Sequence, residues 1–449
     1  MMFDATIDMP ALARADRHSA PGAALGSPVT APGTGSALPF QGQVSRQHLR
    51  DVFHPTAPAA TPLPIDADGE ERHRVRRGQS CAADAGEAAR EFYALVVQPD
   101  IALVIFFCSA EYDLDVIARE LRRLFVGVQV IGCTTAGEFV PAGYRDHSIA
   151  GASFPAQTFS VASRGIERLQ DLSSAQVQSL GRDVLRDLQA IEPRTDTTNT
   201  FAFLMIDGVS GCEELVALAL HVALGEIPLV GGSAGDGLAF GTTRVYFDGA
   251  FHTNGTVVAL VTTSLQFEIF KTQHFVPTQE RVVVTSADTK TRTVRKINGR
   301  VAADEYAALV GVSVESLDPM RFVDQPMVVM IDGTSYVRSI QKVNPDGSLT
   351  LFCAIEEGIV LRAARGVDLI DNLAQAFAGI AASVGEPQIV IGCDCVLRKL
   401  EILQSGLVEK VQAIFRAGNA VGFNSYGEQY QGVHVNQTFT GIAIGDDFR

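Results

Sequence analysis

Residues 131–138 read IGCTTAGE, an apolar strand candidate that runs into the turn Thr135-Ala136-Gly137-Glu138. Two segments precede it: Ile101–Cys108 is apolar throughout, and Leu114–Leu124 has apolar residues at helical spacing. A continuous apolar run is typical of a strand that is buried on both faces. The order therefore predicts a strand, a helix and a second strand that ends in a turn.

The same order returns twice along the chain. A strand at Phe201–Ile206 and a helix at Glu213–Ala223 lead to the turn Ser233-Ala234-Gly235-Asp236. Near the C-terminus, a strand at Gln388–Cys393 and a helix at Gly406–Arg416 lead to Ser425-Tyr426-Gly427-Glu428. We read this as a weak internal repeat. The predicted class is a mixed α/β fold of strand–helix–strand units, with mixed sheets in two associated domains.

The three turns are candidates for ligand binding. Glycine-rich backbone after a strand presents N–H groups that bind an anion, and an acid at the end of the turn binds an amine. The same turns are equally explained as bends that need glycine. The predicted ligand-binding residues are Thr135, Glu138, Ser233, Asp236, Ser425 and Glu428.

A length of 449 residues predicts two or three domains. Residues 1–80 are rich in Ala, Pro and Gly, which predicts a disordered tail. Between the second and third turns lies a different module, with a helix predicted at Ala302–Val310 and a longer one at Val367–Val384.

Composition excludes several classes of function. A formal net charge of −15 argues against nucleic-acid binding, which needs Lys and Arg to neutralise phosphates. The sequence shows no signal-peptide pattern and no apolar stretch long enough to span a bilayer. Seven scattered cysteines fit reduced thiols, so we expect a cytoplasmic protein without a membrane partner.

Catalytic motifs are weak, so we expect a protein that is not an enzyme. Residues 231–235 match the G-x-S-x-G pattern around Ser233, but that motif requires a helix directly after the serine, and a strand is predicted instead. Cys133 and Cys395 are alternative thiol nucleophiles, and Cys395 has Arg398 and Lys399 nearby. Cys393 and Cys395 lie on one face of a strand and are otherwise buried core thiols.

His274 is the histidine that draws attention. It follows the alternating strand Leu265–Phe270, and Phe267, Phe270 and Phe275 could surround its ring. An imidazole in an apolar pocket suits an axial haem ligand. The alternative is a histidine with no such role.

The ordered motifs resemble the FIST family of bacterial sensors, which pair a FIST-N with a FIST-C domain. The matching residues in the first part are 131–138, 231–236 and the Val282–Ala287 strand with the following Ile297-Asn298-Gly299 and Tyr306. In the second part they are Cys395, Arg398, Gly427-Glu428, Asn436 and Thr438-Phe439-Thr440-Gly441. The resemblance implies a FIST-N-like domain at 85–292 and a FIST-C-like domain at 293–449.

The resemblance also implies a function. Family members are thought to sense small ligands and to act on signalling partners, and one branch looks like haem-containing nitric-oxide sensors that regulate a histidine kinase or a cyclic-di-GMP enzyme. The segment 273–277 is similar to that branch, which makes His274 the implied iron ligand, with Phe275 and Pro277 beside the haem. The alternative is a haem-free module that binds a small metabolite such as an amino acid.

Overall fold

The computed structural model describes residues 74–331 and 333–448. Most of the predicted tail, residues 1–73, lies outside this range. The described chain forms three repeats of one strand–helix plan, and a module is inserted into the third.

The first repeat runs from residue 76 to residue 155. Its elements are β1 (Arg76–Ser80), α1 (Ala85–Val96), β2 (Ile101–Ser109), α2 (Leu114–Leu124), β3 (Gln129–Thr135), β4 (Glu138–Val140), β5 (Gly143–Arg145) and β6 (Ile149–Pro155). β4 and β5 form a short hairpin directly after the first turn. The Asp113 carboxylate caps α2 by accepting from the backbone N–H of Val116, which satisfies a donor that the helix leaves unpaired.

The second repeat follows the same plan. Its elements are β7 (Phe159–Glu167), α3 (Ser174–Ile191), β8 (Thr200–Ile206), α4 (Glu213–Leu224), β9 (Leu229–Ser233), β10 (Val245–Phe247), β11 (Ala250–His252) and β12 (Gly255–Thr263). The hairpin here is β10–β11.

The third repeat begins with β13 (Leu265–Thr272) and is then interrupted. The inserted module comprises β14 (Phe275–Asp288), β15 (Thr293–Ile297), β16 (Arg300–Val301), α5 (Ala302–Val310), α6 (Pro319–Asp324), β17 (Met327–Ile331), β18 (Thr334–Arg338), β19 (Ile340–Val343), β20 (Leu349–Leu351) and β21 (Val360–Gly366). The strands of the module form one sheet of their own.

The third repeat then resumes. Its remaining elements are α7 (Leu369–Val384), β22 (Ile389–Cys395), α8 (Val396–Gln404), α9 (Val408–Ala417), β23 (Ala420–Ser425), β24 (Glu428–Tyr430), β25 (Val433–Val435) and β26 (Phe439–Phe448).

The sheets of the three repeats share one strand order, and each borrows a hairpin. The orders are β1-β6-β2-β3-β10-β11, β7-β12-β8-β9-β24-β25 and β13-β26-β22-β23-β4-β5. In each sheet the two central strands are parallel and joined through a helical connection. The hairpin of each repeat leaves its own sheet and adds to that of a neighbour. The first repeat adds its hairpin to the third sheet, the second repeat to the first sheet and the third repeat to the second sheet. The exchange is therefore cyclic.

The main core lies where the three sheets face one another. Phe107 of the first sheet, Phe203 of the second and Ile391 of the third belong to one buried apolar cluster. The rings of Phe107 and Phe423 stack with centroids 4.6 Å apart. Helices α1 and α2, α3 and α4, and α7 and α9 cover separate outer clusters. Each sheet is therefore buried on both faces, which explains its apolar strands.

The predicted mixed α/β class is confirmed, while some elements differ from prediction. The helix predicted at Gly406–Arg416 is wrong in its start, because the chain turns at Gly406 (φ +64°) and places the separate helix α8 before it. The helix α3 was not predicted. β13 pairs with β26, so a strand from before residue 293 completes the C-terminal sheet. The division into domains at that residue stays a prediction.

No helix in the described part of the chain is long and apolar enough to cross a membrane.

The hairpin exchange predicts a specific long-range effect. Phe139 of β4 is fully buried, and its ring stacks on Phe415 of the third repeat at 4.7 Å. We expect Phe139→Ala to cost about 3–5 kcal/mol in unfolding free energy. Native-state amide hydrogen exchange should rise in β22, β23 and β26.

A matched control is Phe92→Ala, which truncates an equally buried ring that packs within the first repeat. In this variant, amide hydrogen exchange should rise in β1, β2 and β6. If Phe139→Ala raised exchange there and spared β23, the hairpin would not stabilise the third sheet.

Candidate ligand-binding cavity

The three predicted turns meet and bond to one another through their backbones. The N–H of Ala136 donates to Asn424 O at 2.9 Å, which joins the first turn to the third. Ser233 N donates to Gly427 O at 2.8 Å, and Gly235 N donates to Thr134 O at 2.9 Å. We call this closed set of hydrogen bonds the turn ring. Its N–H groups are engaged within the protein, so the ring is a structural joint.

The acids of the first and third turns are buried inside this joint. Glu138 accepts from Ser148 Oγ at 2.6 Å and is also bonded to Thr135 Oγ1. Glu428 occupies the equivalent place and accepts from Ser425 Oγ and from Thr438 Oγ1, each at 2.5 Å. Burial raises the pKa of Glu138 well above its usual range and the pKa of Glu428 to about 8.

The second turn departs from this arrangement. Asp236 is half-buried and accepts from the backbone N–H of Gly241 at 2.9 Å and of Thr242 at 2.7 Å. Tyr426 of the third turn donates its hydroxyl to the Asp236 carboxylate, and its ring stacks on Phe240 at 4.2 Å. Asp236 therefore holds the loop that follows the second turn, at the edge of an open cavity.

A cavity of about 580 Å³ opens beside the turn ring, and all three repeats contribute to its wall. The first repeat supplies the loops after β1, β2 and β5 and the first turn. The second supplies Asp236–Leu238, and the third supplies one face of α8. The apolar part of the wall includes Ala110, Leu238, Val396, Leu400 and Leu403.

Charged groups of both signs line the same cavity. Lys399 of α8, which is 5% exposed, donates from Nζ to Ala136 O at 3.0 Å and to Asp146 Oδ1 at 2.5 Å. Arg145 is nearly buried, and its guanidinium donates to Tyr144 O at 2.7 Å. Glu111 and Asp236 add negative charge to the rim. The cavity can therefore bind a ligand with separated charges.

Gly137 lets the first turn approach Lys399. Its φ is +125°, and a Cβ at this position would collide with the Lys399 ammonium group. Only glycine adopts such a backbone angle without strain while leaving this space. The spacing of Thr135, Gly137 and Glu138 thus builds both the turn ring and the cavity wall.

The structure separates the predicted site residues into two groups. Thr135 and Asp236 line the cavity, and Glu138 lies directly behind Thr135. Ser233, Ser425 and Glu428 are fully buried in the turn ring. Whether any of the six contacts a ligand stays a prediction.

Sequence reasoning missed most of the cavity. Arg145 at the end of β5 and the following Asp146 and His147 form a short polar run, and that run was an available signal. Lys399 was noted only as a neighbour of Cys395. Its position in the wall depends on α8, a helix that was not predicted.

Two domain families match the chain. The FIST N domain matches residues 102–300, and the FIST C domain matches residues 302–431. Together they span most of the described chain. The protein belongs to the FIST family. FIST domains are associated with sensing small ligands in signalling, so the predicted family and its sensory role are confirmed.

Other comparisons add little to this FIST assignment. A crystal structure of cyanuric acid hydrolase from A. caulinodans aligns with a TM-score of 0.36 at 9% sequence identity, covering 83% of this chain and 99% of that chain. At this similarity we draw nothing from it about activity. No protein with a curated description matches the sequence.

The surroundings of His274 do not fit the haem that one FIST branch implies. The ring is fully buried, and its Nδ1 accepts from Arg398 Nη1 at 3.3 Å. A guanidinium can only donate, so Nε2 carries the proton and donates to Glu401 Oε1 at 2.8 Å. Both nitrogens are therefore engaged, and an iron ion would have to break one of these bonds.

The three aromatic residues predicted around His274 differ in what their rings contact. Phe267 packs on Phe201 and Phe270 on Phe439, while Phe275 contacts the His274 ring at 4.2 Å. Pro277 lies on β14 opposite Ala364. Arg398 is fully buried and paired with Asp394 at 2.8 Å, so His274 belongs to a buried ionic network.

A haem titration tests this directly. We expect purified protein mixed with haem to give the same absorption spectrum for wild type and His274→Ala. The half-buried His252 provides the control variant His252→Ala, and circular dichroism checks folding. A Soret band in wild type and His252→Ala that is lost in folded His274→Ala would support the haem prediction.

The buried carboxyl of Glu138 predicts an unusual dependence of stability on pH. The pKa of this carboxyl is raised in the folded state. Its contribution to the unfolding free energy is therefore fully present below the unfolded-state pKa of about 4.3 and is lost as pH rises toward the folded-state pKa. The substitution Glu138→Gln keeps the size and shape of the side chain but removes the ionisable carboxyl. We expect urea unfolding free energies of the variant to fall less between pH 5 and pH 8 than those of wild type.

Glu409→Gln is the control, because Glu409 is an exposed carboxylate on α9. It should keep the wild-type slope. Equal slopes for wild type and Glu138→Gln would mean that Glu138 does not ionise differently on unfolding.

Proposed function

We propose that this FIST protein is a cytoplasmic sensor whose ligand is a small zwitterionic metabolite, such as an apolar amino acid, bound in the cavity beside the turn ring. The observation that carries the proposal is the composition of the wall. Lys399 and Arg145 lie on the same cavity as Asp146, Asp236 and Glu111, with apolar side chains between them.

The charges suit an amino acid in a specific way. The ligand carboxylate would bind at Lys399 and Arg145. It would partly replace Asp146 as the acceptor for the Lys399 ammonium group. Its ammonium group would then lie near Asp146 or Asp236. Charge-assisted hydrogen bonds are stronger than neutral ones, which favours a zwitterion over a neutral analogue.

The apolar wall suits the rest of the ligand. Leu400, Leu403 and Val396 present a row of aliphatic groups from α8. Small-molecule sites are largely apolar with a few placed polar groups, and their volumes start near 300 Å³. A cavity of about 580 Å³ leaves room for an aliphatic or aromatic side chain.

Such a site couples binding to the arrangement of the repeats. A ligand there would contact the first turn, the loop after the second turn and α8, which come from three repeats. Binding would favour the closed arrangement of these elements over a more open one, which is a population shift. We propose that this change is passed to a histidine kinase or a cyclic-di-GMP enzyme, the partners that the family resemblance implies.

Catalysis has less support than binding. Ser233 is fully buried and accepts from Gln429 Nε2 at 2.8 Å, so its hydroxyl is not presented to a substrate. Burial raises the pKa of Cys133 and of Cys395 well above the usual thiol value, which disfavours the reactive thiolate. We therefore propose a binding protein in which these groups serve packing.

A binding screen tests the ligand class. Thermal shift and calorimetry should be run with apolar amino acids, with their decarboxylated amines and with their N-acetyl forms. We expect stabilisation by the amino acid, about 2.7 kcal/mol at a hundred times its Kd, and weaker effects from the singly charged analogues. No response to any amino acid would contradict this class.

Variants locate the site. Ala110→Phe should fill the cavity and abolish binding, and Lys399→Met should weaken binding about 10- to 100-fold by removing a charged hydrogen bond. Lys410→Met, on the exposed face of α9, should bind as wild type does. Binding that survives Ala110→Phe in a folded protein would place the ligand elsewhere.

A further inference from the structure

Three potential metal ligands converge where the inserted module contacts the repeats. They are Glu214 of α4, Cys353 after β20 and His434 of β25, and their ligand atoms all lie within 4.8 Å of one another. Cys353 and His434 are buried, while Glu214 is half-buried. The set therefore lies inside the protein with one acidic edge toward solvent.

The ligand types match a borderline-soft divalent cation. Thiolate, imidazole and carboxylate together are the donors that bind Zn²⁺, and three protein ligands leave a fourth position for water or another ligand. Glu214 Oε1 accepts from Ala354 N at 2.6 Å, and Oε2 accepts from Arg292 Nη2 at 2.7 Å. A carboxylate has further lone pairs, so these bonds orient it without filling it.

The groups around His434 are arranged as a second layer. Gln429 lies opposite it on the hairpin, and its Nε2 contacts His434 Nδ1 at 3.1 Å, which orients the ring. A metal-bound histidine donates its other N–H to a carbonyl or carboxylate. Gln429 can meet this need by turning its amide, because its oxygen has no hydrogen-bond partner among the described residues and Ser233 Oγ can then donate to it.

A second unpaired group points to the same place. Asn436 is fully buried, its Oδ1 is bonded to the Cys353 thiol, and its Nδ2 has no hydrogen-bond partner within the described chain. Buried polar groups are rarely left unpaired. A thiolate or a metal-bound water would supply the acceptor that Nδ2 lacks.

We infer that Glu214, Cys353 and His434 form a binding site for Zn²⁺ or a similar divalent cation that ties the inserted module to the second and third repeats. The ion would link α4, the chain after β20 and hairpin β24–β25. The contacts of Arg292 with Glu213 and Glu214 join the same surfaces, so the ion would strengthen an existing junction.

The protonation of the ligands shapes how the ion binds. A neutral imidazole and a thiolate are the forms that bind a metal, so the ion must displace the Cys353 thiol proton to solvent as the metal–sulfur bond forms. The cations of Arg292 and Arg338 lie nearby and favour the thiolate but oppose the metal charge.

Cobalt provides the sharpest test, because Co²⁺ adopts zinc geometries and shows a thiolate charge-transfer band. The full chain, stripped with chelator, is titrated with CoCl₂ and then with ZnCl₂, and thermal stability is followed in parallel. We expect a charge-transfer band in wild type that ZnCl₂ bleaches, together with a rise in melting temperature. Cys353→Ser should lose the band.

Matched variants separate this site from other thiols and from misfolding. Cys81→Ser removes an exposed thiol and should keep the band. Glu214→Gln changes a half-buried ligand and should weaken Co²⁺ binding at least tenfold with the band still visible at saturation. No band in wild type, or a band that persists in Cys353→Ser, would overturn the site.

Discussion

The turn ring is the constraint on which the rest of the structure depends. Each of its three turns is the point where the chain leaves one sheet and enters another, and each turn is held by backbone hydrogen bonds to the others. None of the three sheets is complete until a different repeat supplies its last hairpin. The core between the sheets, the cavity and the module junction are all positioned by this exchange.

The ring also explains why acidic residues are buried at its centre. In the first and third repeats, the hydroxyl that ends a central strand bonds to the carboxyl that begins the next hairpin. A second hydroxyl, from Ser148 or Thr438, donates to the same carboxyl. In the second repeat Ser233 Oγ instead accepts from Gln429 Nε2, and Asp207 is bonded to Thr243 and to the N–H of Asn254. Asp236 lies at the cavity edge. One sequence pattern thus carries two different tasks.

Sequence reasoning predicted what depends on local pattern. The helix predicted at Leu114–Leu124 has these bounds in the structure, and the hydroxyls Thr135, Ser233 and Ser425 end equivalent strands. The destination of each hairpin could not be predicted, since a three-residue strand such as β4 fits any open sheet edge equally well. The partners of His274 could not be predicted for a similar reason: Arg398 and Glu401, which engage its ring, are more than 120 residues away in sequence.

The split third repeat has a consequence for synthesis on the ribosome. β13 emerges long before β26, its hydrogen-bonded neighbour, and the hairpin β4–β5 emerges long before its neighbour β23. Contacts this distant in sequence slow folding and leave strand edges unpaired in the meantime. The nascent chain therefore carries open edges of its early sheets until the strands of the third repeat have been synthesised.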